Sequence, residues 1–336
     1  MSNAATVNAP TEDRHPGTEG IDHLSTLAVL RLLNAEDATV AGAVAQVLPD
    51  LARLVDAAVE AVRAGGTIHY VGAGTSGRLA VLDAAELLPT FNVPPGLVVA
   101  HHAGGPEALL RAVENVEDDP AAGRADVADV GAGDVLVGLT ASGRTPYVGG
   151  ALEAARGRGA ITALITSNPD AELAPLADHL LAVRTGPEAI TGSTRLKAGT
   201  AQKMVLNAFS TAVMVRLGRT WSNLMVDVVA TNAKLRGRVL RILREASGAP
   251  DHDARAALES ADGELKPALV MLLADVPADV ARASLRAHHG SVARTLAAVR
   301  QDPSPSSHHT TPTSTPTATP TSTAAALATV PTGEPA

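Results

Sequence analysis

A loop rich in glycine, serine and threonine holds the residues of this chain that are best suited to chemistry. Residues 72–77 read Gly-Ala-Gly-Thr-Ser-Gly and lie between a short apolar run and an alanine-rich segment with helical spacing. A strand, a glycine turn and a helix start direct several backbone N–H groups and the positive end of the helix dipole at one point, which suits an anion. Gly74 allows a close backbone approach, and the hydroxyls of Thr75 and Ser76 can donate further hydrogen bonds. The sequence therefore predicts a phosphate site.

The three glycines of this loop also match the G-x-G-x-x-G fingerprint of dinucleotide-binding proteins. Such a site needs an acidic residue about 20 positions further on, whereas the next apolar run ends in His101 and His102. A Walker loop fails as well, because Arg78 stands where that motif has Lys and Leu79 replaces its magnesium-binding hydroxyl. A nucleotide cofactor is therefore disfavoured, and a strand–helix turn without a ligand is the simpler alternative.

Two later loops repeat the pattern. Residues 140–146 contain a second Ser-Gly-Arg, again between an apolar run and a helix, and residues 191–197 place hydroxyls and two cations before a long helix. Both suit an anion, although an N-cap with solvated basic residues is the alternative for the last loop. The candidate phosphate-binding residues are Gly74, Thr75, Ser76, Ser142, Gly143, Thr145, Ser193, Arg195 and Lys197.

Length and charge narrow the possible partners. A chain of 336 residues can form a large domain with an appendage. A formal net charge of −8 argues against nucleic acid and acidic membranes, and the scarcity of aromatic residues argues against stacking on bases. No apolar signal segment is present, and no uncharged apolar run reaches the roughly 18 residues of a membrane helix. We expect a soluble cytoplasmic protein.

Cysteine and histidine usage bears on redox and metal chemistry. The chain contains no cysteine, which excludes disulfides, thiolate catalysis and cysteine–metal sites. Several histidines occur as adjacent pairs, at 101–102, 288–289 and 308–309. Adjacent side chains point apart on a strand and do not converge on a helix. No metal site is therefore expected.

Apolar runs and helical spacing alternate along the chain, which predicts an α/β fold with a parallel sheet flanked by helices on both faces. Strands are expected at 67–71, 97–100, 134–139, 161–166 and 179–183. Helices are expected from residue 22, then at 38–64, 79–88 (broken at Pro89), 106–113, 146–156, 197–217 and 223–243, with 118–131 as a surface connection. The expected regions are a disordered N-terminus at 1–20, a main domain at 21–247, a small helical domain at 248–300 and a disordered Pro/Thr/Ser/Ala tail at 301–336.

Long motifs in a fixed order connect the chain to a known family. They read Val-Gly-Ala-Gly-Thr-Ser-Gly-Arg-Leu at 71–79, Leu-Asp-Ala-Ala-Glu at 82–86, Ala-Ser-Gly-Arg-Thr-Pro-Tyr at 141–147, Thr-Gly-Ser-Thr-Arg-Leu-Lys-Ala-Gly-Thr-Ala-Gln-Lys at 191–203, and Asn-Leu-Met-Val-Asp-Val-Val-Ala-Thr-Asn at 223–232. On these residues the chain resembles, from about 20 to 300, the N-acetylmuramic acid 6-phosphate etherases, which carry a sugar isomerase (SIS) domain. The resemblance implies a cytoplasmic homodimer that converts a muramic acid 6-phosphate and water into N-acetylglucosamine 6-phosphate and D-lactate in cell-wall sugar recycling. It implies no metal or organic cofactor.

The resemblance also implies two catalytic carboxyl groups. Glu86 falls on the family's proton-donor glutamate, and Glu117 falls on its second acidic catalytic position. In the expected route Glu117 removes the C2 proton of the ring-opened sugar, Glu86 protonates the departing lactate, and water adds to the double bond. The division of acid and base roles stays open, and Glu114 competes with Glu117. Apolar neighbours would raise the pKa of Glu86 if it is buried.

The spacing of the first loop and Glu86 raises a geometric question. Ser76 and Glu86 are ten positions apart, which is about 15 Å along a straight helix. A hexose phosphate spans less than that between its phosphate and C3. Either the helix ends early, near Pro89, or one glutamate comes from the partner subunit.

Two other functions stay open. A non-catalytic sugar-phosphate regulator, similar to the glucokinase regulatory protein, would use a similar fold. That protein has two SIS domains, whereas the strand–helix pattern occurs once here. A hexose-phosphate isomerase would share the ring-opened sugar and a carboxylate base, but it needs no ether substrate.

Overall fold

The computed structural model describes residues 9–111, 113–228 and 233–301. The disorder predicted for residues 302–336 and for residues 1–8 lies outside these described residues.

A five-stranded parallel sheet forms the centre of the fold. Its strands are β1 (Ile68–Gly72), β2 (Val98–His102), β3 (Val135–Leu139), β4 (Ile161–Thr166) and β5 (His179–Ala182). Their spatial order is β2-β1-β3-β4-β5, and every pairing is parallel. The central strands β1 and β3 are buried along their whole length, as their continuous apolar sequences require. The predicted α/β class and all five predicted strands are confirmed.

Three α-helices of the described chain precede the sheet: α1 (Thr26–Ala38), α2 (Val40–Ala45) and α3 (Leu48–Arg63). The pattern predicted as one helix over 38–64 is therefore divided between α2 and α3. Helix α3 packs an apolar face into the core through Leu51, Leu54, Val55, Ala58 and Val59. Gly65 follows it with φ of +96°, which ends the helix in the left-handed conformation that glycine favours.

Five helices cover the sheet: α4 (Gly74–Phe91), α5 (Gly105–Leu110), α6 (Pro120–Asp126), α7 (Pro146–Gly157) and α8 (Lys197–Arg216). One hydrophobic cluster joins α3, α4 and α8 to one face of the sheet, and a second joins α7 to the other face. Full burial of a Leu, Ile or Phe side chain stabilises the fold by about 1.5–3 kcal/mol. The fully buried large residues include Leu54, Ile68, Tyr70, Leu136, Leu139, Tyr147, Leu164 and Phe209.

Two predictions about these helices are wrong. Pro89 lies inside α4, which continues to Phe91 and ends only at Asn92, in the left-handed conformation. The helix survives the missing N–H of proline because the buried side chains of Leu87 and Phe91 hold its last turns in the core. The predicted surface connection at 118–131 contains helix α6, whose N-cap Asp119 accepts hydrogen bonds from two backbone N–H groups.

The C-terminal part of the described chain is helical. A short antiparallel hairpin, β6 (Thr220–Trp221) and β7 (Leu224–Met225), precedes α9 (Ala233–Ser247), α10 (Asp251–Ser260), α11 (Leu265–Ala274), α12 (Ala278–Ala287) and α13 (Val292–Gln301). Strand β7 replaces the start of the helix predicted over 223–243, which is a correction. The short helices predicted after residue 248 are confirmed. Their hydrophobic cluster already begins at Val226, and the proposed division of domains at 247/248 stays a prediction.

Residues 9–20 have a fixed conformation, which corrects the expectation of disorder for this part of the N-terminus. Thr11 is buried, and its carbonyl oxygen accepts a hydrogen bond of 3.0 Å from the Gly192 N–H group. His15 Nε2 lies 3.0 Å from a carboxylate oxygen of Glu36 on α1. The segment is therefore held against α1 and the loop that precedes α8.

Among the described residues no single helix is long and apolar enough to cross a membrane. By length and composition, the bent pair Thr26–Ala45 and Leu48–Arg63 meets that test together.

Candidate active site

The first two Ser/Thr/Gly loops lie side by side at one edge of the sheet. They follow β1 and β3, which are neighbours in register, with Gly72 beside Leu139. The start of α8 reaches the same place, because a Cβ placed on Gly199 would lie 3.5 Å from Thr75 Cγ2. In an open α/β sheet, ligands bind outside the carboxyl ends of the strands. The fold thus brings the three predicted loops to one edge.

The first loop has the predicted strand–turn–helix geometry. Gly74 begins α4 with φ of +54°, and Ser76 is buried in the first turn. The first helical hydrogen bond runs from the Gly77 N–H to Ala73 O at 3.2 Å. The N–H groups of Gly74, Thr75 and Ser76 precede that bond, so they belong to the group that a helix leaves without intrahelical acceptors. They are available to an anion.

The second loop holds its hydroxyl groups through a short network. Thr140 Oγ1 lies 2.7 Å from Thr145 Oγ1 and 3.4 Å from Ser142 Oγ. Asn168 donates a hydrogen bond of 3.0 Å from its side-chain amide to Ser142 O. Gly143 has φ of +75°, and a Cβ there would lie 2.3 Å from the Cβ of Ala171. The loop is therefore fixed by its own packing, with Ser142 and Thr145 beside the first loop.

The two Ser-Gly-Arg repeats use their arginines differently. The Arg78 guanidinium donates hydrogen bonds to carbonyl oxygens at the end of α5. The Arg144 guanidinium lies 2.9 Å from a carboxylate oxygen of Glu172. The two tripeptides also differ in backbone conformation, because Gly77 lies in the first turn of α4 whereas Gly143 has φ of +75°.

The third loop departs from the prediction at Lys197. Its side chain is buried, and its ammonium group lies 2.7 Å from a carboxylate oxygen of Glu36, whose pKa this hydrogen bond lowers. The N–H groups of Lys197 and Ala198 each donate a bond of 2.9 Å to the buried carboxylate of Glu188. Burial raises the pKa of Glu188, against the effect of these bonds. Because Glu188 occupies the start of α8 and Glu36 holds the cation, we assign Lys197 a structural role, which corrects its predicted contact with phosphate.

Ser193 and Arg195 stay predictions. Both lie in the turns between Ile190 and α8, where the Ser193 N–H donates to Ile190 O at 2.9 Å. Arg195 is exposed, so its guanidinium is available to a ligand.

The two predicted catalytic glutamates lie apart. Glu86 is exposed on α4, with the exposed Leu82 one turn before it on the same side. The helix is continuous from Gly74 to Phe91, so Ser76 and Glu86 are separated by about 15 Å along its axis. An early helix end is ruled out as the answer to the geometric question. The condition that Glu86 be buried is not met in the single chain.

Glu117 lies in the short helical turn Val116–Asp118, beyond the end of α5. Its neighbour Val116 packs against the loop that follows β2, since a Cβ on Gly104 would lie 3.2 Å from Val116 Cγ1. Glu117 is exposed, and so is its competitor Glu114 in the preceding turn. The predicted helix over 106–113 ends earlier, at Leu110, so both glutamates project from a loop.

A buried carboxyl group on α4 escaped the sequence reasoning. Asp83 accepts hydrogen bonds of 3.0 Å from the Tyr70 hydroxyl on β1 and from the Ser210 hydroxyl on α8. Burial raises its pKa, against the effect of these two bonds. An acidic residue within an apolar helical stretch was the available signal. Asp83 fixes α4 to the sheet one turn before Glu86.

Curated relatives with similar sequences share one name. The chain is 62% identical over 267 residues to the N-acetylmuramic acid 6-phosphate etherase of Thermobifida fusca, covering 80% of this chain and 88% of the relative. It is 54% identical over 288 residues to the etherase of Pectobacterium atrosepticum, covering 85% of this chain and 95% of the relative. The chain belongs to the N-acetylmuramic acid 6-phosphate etherase family. It is therefore an enzyme with a SIS domain, as the sequence motifs indicated.

Two domain models also match parts of the chain. Residues 109–212 match the SIS domain, and residues 50–156 match the N-terminal SIS domain of the glucokinase regulatory protein. A phosphoheptose isomerase from Francisella tularensis is a solved structural neighbour, at 20% identity and a TM-score of 0.47, covering 57% of this chain and all of that chain.

One cavity of the etherase lies away from the three loops. It has a volume of about 640 Å³ and is bordered by Asn92 and the C-terminal helices. Its half-buried Lys266 lies 2.7 Å from Asp227, and Arg282 contacts Glu264 at 2.8 Å. These charges therefore pair with one another, and the active site at the three loops stays a prediction. Among the residues described, no cluster of three or more metal-ligating side chains occurs there or elsewhere.

Proposed function

We propose that this chain cleaves the D-lactyl ether of N-acetylmuramic acid 6-phosphate by elimination and then hydration. The products are N-acetylglucosamine 6-phosphate and D-lactate, as expected for cell-wall sugar recycling in the cytoplasm. The observation that carries the proposal is the 62% identity to a named etherase over 80% of the chain.

In this scheme the 6-phosphate is the group that anchors the substrate to the enzyme. The N–H groups at the start of α4 and the hydroxyls of Thr75, Ser76, Ser142 and Thr145 form its binding site, with Ser193 and Arg195 at the third loop. A dianion at a helix start is favoured by the free N–H groups and by the dipole. Binding energy at this remote phosphate positions C2 and C3 for reaction.

The chemistry requires one carboxylate and one carboxylic acid. The aldehyde of the ring-opened sugar acidifies the C2 hydrogen, and the Glu117 carboxylate takes this proton. The C3–O bond then breaks, and the Glu86 carboxylic acid protonates the lactate oxygen as it leaves. Water adds to the C2–C3 double bond, with its hydroxyl at C3. Each such proton transfer is worth about 10²–10⁴ in rate.

A homodimer would complete this site. Glu86 and Leu82 share an exposed face of α4. The scheme, however, needs the Glu86 carboxyl group to be protonated. Coverage by a second copy would remove water from this face, and burial favours the neutral form of a carboxyl group. It would also bring a glutamate to a substrate whose phosphate lies about 15 Å along the helix. Helix α1 supports the same assembly, because none of its 13 residues is buried and Leu27 and Leu30 are exposed.

The test is to incubate the purified chain with N-acetylmuramic acid 6-phosphate and to measure free D-lactate. In ¹⁸O water the label should enter C3 of the sugar, whereas cleavage at the lactyl carbon would label lactate instead. Glu86→Gln should abolish release and leave substrate binding intact. Unchanged turnover in this variant would remove Glu86 from the mechanism.

The regulator is the second candidate, because residues 50–156 match a domain of the glucokinase regulatory protein. Binding of the sugar phosphate without lactate release would favour it. The etherase relatives match over 80–85% of the chain, so the etherase is preferred. The same argument applies against a hexose-phosphate isomerase.

A further inference from the structure

Arg78 joins the phosphate loop to the segment that carries Glu117. It lies on α4, two residues after Ser76. Its Nε donates to Leu109 O at 2.9 Å, and its Nη2 donates to Ala108 O at 2.7 Å and to Arg111 O at 3.2 Å. One half-buried guanidinium thus serves three carbonyl groups at the end of α5.

These contacts meet a specific need of α5. The helix has only six residues, and the last carbonyl groups of any helix have no intrahelical donors. A cation there is favoured by the helix dipole, and charge-assisted hydrogen bonds are about twice as strong as neutral ones. The planar guanidinium can reach several acceptors at once, which an ammonium group cannot do with the same geometry. Arg78 therefore fixes where α5 ends.

The position of the end of α5 determines where the loop that carries Glu117 begins. Arg111, whose carbonyl group contacts Arg78, lies six residues before Glu117. On the other side of the loop, Val116 packs against Gly104, where an added Cβ would lie 3.2 Å from Val116 Cγ1. The exposed Glu117 is therefore held through two anchors, and one of them is a side chain of the phosphate-binding helix.

We propose that Arg78 is a positioning residue, which aligns the loop of Glu117 with the phosphate bound at the start of α4. The inference rests on the catalytic role proposed for Glu117. It gives Arg78 a function distinct from phosphate binding, although the residue belongs to the loop motif. One guanidinium would then join the helix that binds the substrate's phosphate to the loop whose glutamate removes its C2 proton.

The test compares Arg78→Ala with a matched control, Arg158→Ala. Arg158 makes the same kind of fork, donating to Val130 O at 2.6 Å and to Val127 O beyond the end of α6. Arg78→Ala should lower kcat by about 10–100-fold with KM changed less than about 3-fold, since a misplacement of 1 Å can cost about 10²-fold in rate. Arg158→Ala should lower the thermal midpoint and leave kcat within about 2-fold.

Rescue separates positioning from loss of folding. Added guanidinium at millimolar concentration should restore part of kcat in Arg78→Ala but none in Arg158→Ala. Arg78→Lys keeps the charge without the fork and should retain an intermediate kcat, and it provides a measurable protein if the alanine variant does not fold. A rise in KM with unchanged kcat would overturn the proposal, because it would place Arg78 on the phosphate.

A double-mutant cycle distinguishes this inference from the proposed function. Single-turnover rates are measured for Arg78→Ala, Glu117→Gln and the double variant. Because Arg78 acts through Glu117, its substitution should cause little further loss in the Glu117→Gln background. Multiplicative losses would overturn the positioning role alone. A fully active Glu117→Gln variant would overturn the role proposed for Glu117, and the inference with it.

Discussion

Gly77→Ala should strongly destabilise the protein, because the first turn of α4 lies directly on the ends of β1 and β2. A Cβ at this position would lie 2.3 Å from His102 Nδ1 and 2.5 Å from Gly72 O. The imidazole can rotate, but the Gly72 carbonyl group belongs to a fully buried strand. Overpacking costs about 1–3 kcal/mol when side chains and backbone shift. Because one of the two close contacts is with a backbone carbonyl group, we expect the free energy of unfolding to fall by about 3 kcal/mol.

Urea denaturation of Gly77→Ala measures this loss as a change in the free energy of unfolding. The control is Gly42→Ala in α2, where nothing lies within 4 Å of the added Cβ; it should gain about 0.5–1 kcal/mol. Gly77→Ala/His102→Ala should recover only part of the loss, since Gly72 O remains. An unfolding free energy for Gly77→Ala within about 0.5 kcal/mol of wild type would refute this packing argument.

Three further predictions concern buried polar groups. Asp83→Asn should lower the free energy of unfolding in urea by about 1–3 kcal/mol, since one of the two hydroxyl donors loses its acceptor. Unchanged stability would contradict the role of this hydrogen-bond network. Burial lowers the pKa of His69 to about 4 and also lowers that of His101, whose Nε2 lies 3.0 Å from His69 Nδ1. As pH falls from 6.5, the unfolded chain therefore binds protons before the folded protein does. The free energy of unfolding should drop by about 1.4 kcal/mol per pH unit for each such proton. His101→Leu should flatten this slope in pH-dependent denaturation, and an unaltered slope would contradict the assignment. Glu36→Leu should destabilise the protein by about 3–5 kcal/mol, because the Lys197 ammonium is left buried without its carboxylate. Glu36→Leu/Lys197→Met should restore most of the lost stability. Thermal unfolding of both variants tests this, and a double variant no more stable than Glu36→Leu would contradict it.

The sequence predicted the parts of this fold that depend on local patterns. Continuous apolar runs identified β1 and β3, and glycine with hydroxyl residues after each strand identified the loops at the sheet edge. Both signals are short-range, because buried parallel strands need apolar residues on both faces and a helix start needs groups that satisfy its N–H donors. Local composition was enough to place the loops at one edge of the sheet, and the phosphate site there stays a prediction.

The failures share a different cause, since each depends on a distant contact. Lys197 looked like a phosphate ligand until the fold placed Glu36, 161 residues away, beside it. Pro89 looked like a helix end, but burial of Phe91 in the core outweighs the hydrogen bond that proline removes. Residues 9–20 looked too polar to fold, although Gly192 provides a donor for Thr11. The way in which Glu86 and Glu117 come together at the substrate stays a prediction.

The carboxylate of Glu188 has a consequence for where a phosphate can bind. By bonding the first N–H groups of α8, it neutralises that dipole with an anion of the protein's own. A phosphate would therefore find free N–H groups at the start of α4 but none at the start of α8, where the N–H groups of Gly199 and Thr200 bond Thr194 O and Leu196 O.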